Sequence, residues 1–109
     1  MEFSCVSQDD YRIIRVMGRM DPETAPEFEK IISSELSKGF KKLIIDLGGL
    51  TYISSLGLRS VLSSAMMVRA NEAGISFCSA KGMVARVLSV AGFESLFKIH
   101  PDLEEALSG

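Results

Sequence analysis

A single histidine, two cysteines and no tryptophan leave this 109-residue chain short of the side chains that metal binding and nucleophilic catalysis draw on most. The cysteines, Cys5 and Cys78, each sit inside an apolar, strand-like run. Neither has a second cysteine or a histidine at metal-ligand spacing, so both read as buried free thiols. His100 stands next to Pro101 without an identifiable nucleophile or carboxylate partner and reads as a surface residue. Gly48-Gly49 lacks the following Lys-Ser/Thr of a phosphate-binding loop and reads as a turn.

Positive charge is not in surplus either. The formal net charge is -2 and the pI is about 5.4, which argues against nucleic acid as a partner because phosphate contacts dominate such binding. The short cluster Lys41-Lys42 does not change that balance. No run approaches the roughly 20 apolar residues that cross a bilayer. Met1-Glu2-Phe3-Ser4 also lacks the basic start and apolar stretch of an export signal, so a cytoplasmic protein without membrane contact is expected. Internal repeats, linkers and low-complexity tracts are missing, and the reading is one domain over residues 1–109.

What is present is a globular composition, 47% hydrophobic and 24% charged. Phe3–Val6 and Tyr11–Met17 are β-rich runs separated by Ser7-Gln8-Asp9-Asp10, a hairpin pattern closed by Gly18. Thr24 and Glu27 are spaced as a capping box around Pro26. Phe28, Ile31, Ile32 and Leu36 follow at helical spacing to Gly39, a C′ glycine. Leu43–Leu47 is the unbroken apolar run of a central strand covered on both faces.

Ser54-Ser55-Leu56-Gly57 opens a helix to about Asn71, with Leu58, Val61, Leu62, Ala65 and Val68 as its core face and Gly74 as its stop. Ile75–Cys78 is the next strand, and Met83–Leu88 a short helix ended near Gly92. Leu96–Ile99 then reads as the last strand, and a helix from Pro101 carries Leu103 and Leu107. The order β-β-α-β-α-β-α-β-α implies an α/β fold with a mixed, mostly parallel sheet of about five strands and about four helices. In such sheets functional loops gather at the carboxyl ends of strands, which directs attention to Gly48–Gly57.

The run Leu43-Ile44-Ile45-Asp46-Leu47-Gly48-Gly49-Leu50-Thr51-Tyr52-Ile53-Ser54-Ser55-Leu56-Gly57-Leu58 resembles the signature of STAS domains, the anti-sigma factor antagonists of bacterial partner-switching systems. Gly18-Arg19-Met20-Asp21 is similar to the family's Gly-x-Leu-Asp stretch, and the element order agrees along the whole chain. Carried over by position, Ser54 matches an Asp/Ser and Ser55 the phosphorylated serine, with Gly57-Leu58 matching the Gly-Leu. Position 56 is leucine where many members carry a small residue.

The resemblance implies a binding module without catalytic activity or cofactor. Its partners would be an anti-sigma factor that is itself an ATP-dependent serine kinase, and a serine phosphatase that reverses the modification. A monomer is expected. The alternatives are a STAS scaffold subunit of a stress-sensing or lipid-transport complex, and a nucleotide-binding regulatory domain. Ser54 is the alternative acceptor, and a simple helix N-cap is the structural role open to Ser55.

With Leu58 inward, Leu56, Ser60, Ser63 and Met67 fall on the outward side of the helix at 100° per residue. Together with Asp21, Ser54 and Gly57 that row is the expected partner-binding surface. Asp21 would help form the site for the kinase or a nucleotide, or serve as a turn aspartate. Asp46 reads as structural, accepting hydrogen bonds from the loop after it.

Overall fold

A computed structural model describes residues 1–109. Strand β1 (Glu2–Gln8) pairs antiparallel with β2 (Tyr11–Met20), and Asp9 in the connecting turn has φ +56. Helix α1 (Ala25–Ser37) crosses to β3 (Lys42–Ile53), α2 (Ser55–Ala70) to β4 (Gly74–Cys78), and α3 (Gly82–Val90) to the two-residue β5 (Ile99–His100). Helix α4 (Leu103–Ser108) follows. Each of these crossovers returns to a parallel neighbour, so the sheet order is β1-β2-β3-β4-β5.

Alternation along β2 and β3 sorts side chains onto two faces. Ile14, Val16, Ile45 and Leu47 join Phe28 and Ile32 of α1, Val61, Ala65 and Val68 of α2, and Val84 and Leu88 of α3 in one core. Ile13, Ile44 and Cys78 point the other way and meet Ala106 of α4. Three helices thus cover one face and a short helix part of the other. The apolar run of β3 follows from that double coverage.

Several local expectations are corrected. Gly48-Gly49 is not a turn: β3 runs straight through it, with a register shift against β2 between the Arg15 and Met17 pairs. A Cβ at Gly49 would lie 2.6 Å from Met17 Cγ, so the glycine there serves close strand packing. Strand β2 likewise continues past Gly18 to Met20. The Thr24–Glu27 capping box does not form, because Thr24 Oγ1 donates to the Arg19 carbonyl at 2.8 Å instead. Helix α2 ends at Ala70, with Asn71 as its cap and Glu72 at φ +59 after it, and Gly74 already belongs to β4.

Leu96–Lys98 is not strand. Phe97 turns into the core, where its ring centroid lies 5.4 Å from Phe93 and 6.2 Å from Phe77. The terminal helix is capped by Asp102, which accepts the Glu105 N–H.

Glu35 is the one acidic side chain sealed in the protein, 1% exposed. Its Oε1 meets Arg12 Nε at 2.9 Å and its Oε2 meets Lys38 Nζ at 3.2 Å. Burial alone pushes the Glu35 carboxyl up, but hydrogen bonds from Cys5, Arg12 and Lys38 outweigh it and hold the group below its ordinary value. A depressed carboxyl stabilises the fold above its unfolded pKa, and that contribution is lost as pH falls through the folded value. Glu35→Gln should therefore cost roughly 1.5–3 kcal/mol at pH 7 in urea unfolding. The gap to wild type should shrink below about pH 4; a gap independent of pH would refute the charged role. Both cysteines are free, Cys78 buried and Cys5 half-buried, and burial pushes each thiol up to about 11.

Candidate functional site

Strands β2 and β3 end side by side, their last register pair being Met20 with Ile53. Asp21 and Ser54 are the next residues on each, and the Ser54 N–H ties the two ends together by donating to the Met20 carbonyl at 2.9 Å. Ser54 then caps α2. Its backbone is extended, its hydroxyl oxygen accepts the Gly57 N–H at 3.0 Å, and its carbonyl accepts the Leu58 N–H at 2.8 Å.

The cap is therefore one residue earlier than the structural role considered for Ser55. Ser55 is the first residue of α2, exposed, and its hydroxyl is not engaged by the protein. Helix geometry leaves the N–H groups of Ser55 and Leu56 without intrahelical partners beside that hydroxyl.

Asp21 is tied into the turn before α1. Its Oδ1 accepts the N–H groups of Glu23 and Thr24, both at 3.0 Å, and its carbonyl accepts the Ala25 N–H at 2.8 Å. The Thr24 N–H is the largest cause holding its carboxyl below the usual range, with smaller help from the Thr24 hydroxyl, the Glu23 N–H and Arg19. Asp21 is thus a turn aspartate and also a neighbour of Ser54 across the strand ends. Asp46 has the structural place expected of it, with Oδ1 accepting the Gly48 N–H at 2.9 Å and Oδ2 facing Arg15 at 3.4 Å. His100 is half-buried and lines a hollow of about 330 Å³ with Tyr11, Lys42 and Lys98.

The outward row on α2 needs correction. Leu56, 42% exposed, and Ser63 face solvent, and Met67 is half-buried. Ser60 is turned inward, 6% exposed, and donates to Glu29 Oε2 on α1 at 2.8 Å. The buried face comprises Gly57, Ser60, Val61, Ser64, Ala65 and Val68, centred roughly 90° from Leu58 at 100° per residue. The reason is that α2 packs on α1 as well as on the sheet, and the contact with α1 is made through small residues. Arg59 and Met66, on either side of the centre of the true outward face, have no place in the expected row. The small side chains at 60 and 64 are the available signal.

Between α1 and α2 lie two hollows of about 260 and 270 Å³ that share Glu29 and Ser63. On the opposite side of the strand ends, the Arg19 guanidinium lies 4.2 Å from the centre of the Tyr52 ring.

The STAS domain model matches residues 3–106, and the chain belongs to this family. Among its relatives is a Bordetella bronchiseptica protein named as an anti-sigma factor antagonist, BtrV. It is 33% identical over 98 residues, covering 90% of this chain and 84% of the relative. The anti-sigma-B factor antagonist of Staphylococcus epidermidis is 19% identical over 104 residues, 95% of this chain and 96% of its own.

A crystal structure of a Thermotoga maritima protein described as an anti-sigma factor antagonist superposes with a TM-score of 0.89 at 25% identity, over 97% of this chain and 92% of that one. The phosphorylated form of Bacillus SpoIIAA shares the fold, with a TM-score of 0.73 at 18% identity over 98% and 97% of the two chains. Anti-sigma factor antagonists are regulatory binding proteins rather than enzymes. No helix of this chain is long and apolar enough to cross a membrane.

Proposed function

We propose that this chain is a phosphorylation-switched anti-sigma factor antagonist whose unmodified form sequesters an anti-sigma factor and so releases a sigma factor. The observation that carries the reading is the division of labour between the paired serines. Ser54 uses its oxygen to cap α2, while Ser55 presents an unengaged hydroxyl at the helix start. The anti-sigma factor doubles as the serine kinase, a serine phosphatase restores the binding form, and the antagonist works in the cytoplasm as a monomer. The relatives' names, the Ser-Ser-x-Gly-Leu pattern and the exposure of Ser55 all support this.

In the modifying step the Ser55 oxygen forms a bond to the γ-phosphorus of ATP held by the kinase. The bond to ADP breaks, and the hydroxyl proton leaves to a base on the kinase. Asp21, Ser54, Leu56, Ser63 and Met67 surround or extend from the acceptor and form the docking surface in this reading, and the expected Gly57 is instead buried against Met20 and Ile53, where it seats the helix start. Ser60 supports it from beneath through Glu29. Incubation with the cognate kinase and ATP, followed by peptide mass spectrometry, should find phosphate on Ser55. Phosphate on neither serine would refute the reading, and phosphate on Ser54 would move the acceptor.

A further inference from the structure

We propose that Arg59 is the intramolecular counter-ion of a phosphoryl group on Ser55, an inference that rests on Ser55 being the acceptor. The two side chains are four residues apart on α2, about 40° apart around its axis and one turn along it. Both are exposed. An anion placed four residues before a cation is the favourable orientation for such a pair, because each then also complements the helix dipole.

Arg59 is uncommitted in the unmodified protein. The four ion pairs use Arg12, Arg15, Lys38 and Lys42 as cations. Arg19 stacks on Tyr52 and Arg69 on Phe97. The charged group facing Arg59 from α1 is Glu29, which lines the same hollow of about 260 Å³ with Leu56 and Ser63, and whose Oε2 accepts the Ser60 hydroxyl. From the turn before α1, Asp21 spends Oδ1 on the N–H groups of Glu23 and Thr24. A guanidinium near the centre of the outward face thus forms no ion pair with either carboxylate while lying within reach of the acceptor.

The consequence for the switch is double. Phosphorylation adds about -1.5 to -2 charges at neutral pH. It also draws the Arg59 guanidinium onto the new anion by charge-assisted hydrogen bonds. A partner that meets a free cation next to Ser55 in the unmodified form meets a net anion in the modified one. The folded state keeps its stability because the new charge is paired on its own helix.

The test uses the full chain with phosphoserine installed at position 55 during translation, so that no kinase is involved. Its second ionisation is followed by phosphorus NMR as a function of pH. Arg59→Gln should raise that pKa by roughly 0.3 units or more, and Arg59→Lys should restore most of the difference. In the wild type the Arg59 side-chain N–H resonance should shift on modification while that of Arg12, held by Glu35, stays in place.

Equal titration of the wild type and Arg59→Gln, within about 0.1 unit, together with an unmoved Arg59 resonance, would overturn the assignment. That result leaves Ser55 standing as the acceptor, whereas the absence of phosphate after treatment with the kinase removes the acceptor itself.

Discussion

Replacing Ser55 by aspartate is expected to weaken binding to the anti-sigma factor by about 100-fold or more, with the melting temperature held within a few degrees of wild type. The two halves of this result have one origin. A carboxylate at the first residue of a helix lies against partial positive charge and free N–H groups, so the isolated domain tolerates it. The same carboxylate enclosed by a partner must lose its water or face like charge. Either can cost several kcal/mol, and about 1.4 kcal/mol is a factor of ten in affinity.

Ser55→Ala should bind as the wild type does and accept no phosphate. Ser54→Ala is the informative contrast, since it removes the oxygen that receives the Gly57 N–H and should cost about 1 kcal/mol of stability. Calorimetric titration with the anti-sigma factor, paired with thermal melts, measures all three. Unchanged affinity for Ser55→Asp would sink the switch. A large fall in melting temperature would show that the charge acts on the fold and not on docking.

Most of the architecture was legible in the sequence because the strands and helices carry strong, separate periodicities. Leu43–Leu47 reads as a doubly covered strand, and the α1 pattern Phe28, Ile31, Ile32, Leu36 reads as a helix whose C′ glycine, Gly39, has φ +95. What failed is where one residue type serves two physical purposes. Glycine marks turns, but Gly48-Gly49 lies inside β3, because backbone bulge geometry and the nearness of Met17 set its role, and neither is visible along the chain. Leu96 and Phe97 look like strand residues, yet the chain turns there to bring Phe97 against Phe77 and Phe93.

The capping geometry of the candidate site is legible to within one residue. Ser54 and Ser55 were located as a pair, but which of them caps depends on where β3 stops, and that is fixed by the Ser54–Met20 hydrogen bond across strands 34 residues apart in sequence. The facing of α2 was misjudged for a similar reason. Leucine at 58 suggests the sheet, while the small residues at 60 and 64 answer to α1, a neighbour that periodicity does not reveal. Arg59 went unnoticed because an arginine on a helix is ordinary until its neighbours are known to be committed elsewhere.

Gly57→Ala is expected to destabilise the protein by up to about 2 kcal/mol and to impair partner binding although Ser55 is untouched. A Cβ there would meet the Met20 carbonyl oxygen at 2.8 Å, Met20 Cγ at 3.0 Å and Ile53 Cγ1 at 3.1 Å. The first contact is with backbone, and Met20 and Ile53 are themselves 0% and 3% exposed, so neither strand end can yield cheaply. Alanine gains about 1 kcal/mol over glycine in a helix, which offsets part of an overpacking cost of roughly 1–3 kcal/mol, and the backbone contact at 2.8 Å puts that cost toward its upper end. The strain is relieved by lifting the first turn of α2 off β2, which pulls on the Ser54 N–H bond to Met20 and moves the Ser55 hydroxyl from its place at the helix start. In a domain of this size the stability loss should appear as a fall of about 4–8 °C per kcal/mol in the melting temperature. Gly39→Ala is the matched control: a Cβ there meets nothing within 4 Å, so its cost is the backbone strain of φ +95 alone, and partner affinity should not change. If Gly57→Ala melted and bound as the wild type does, the seating of α2 on the end of β2 would not be what positions the acceptor.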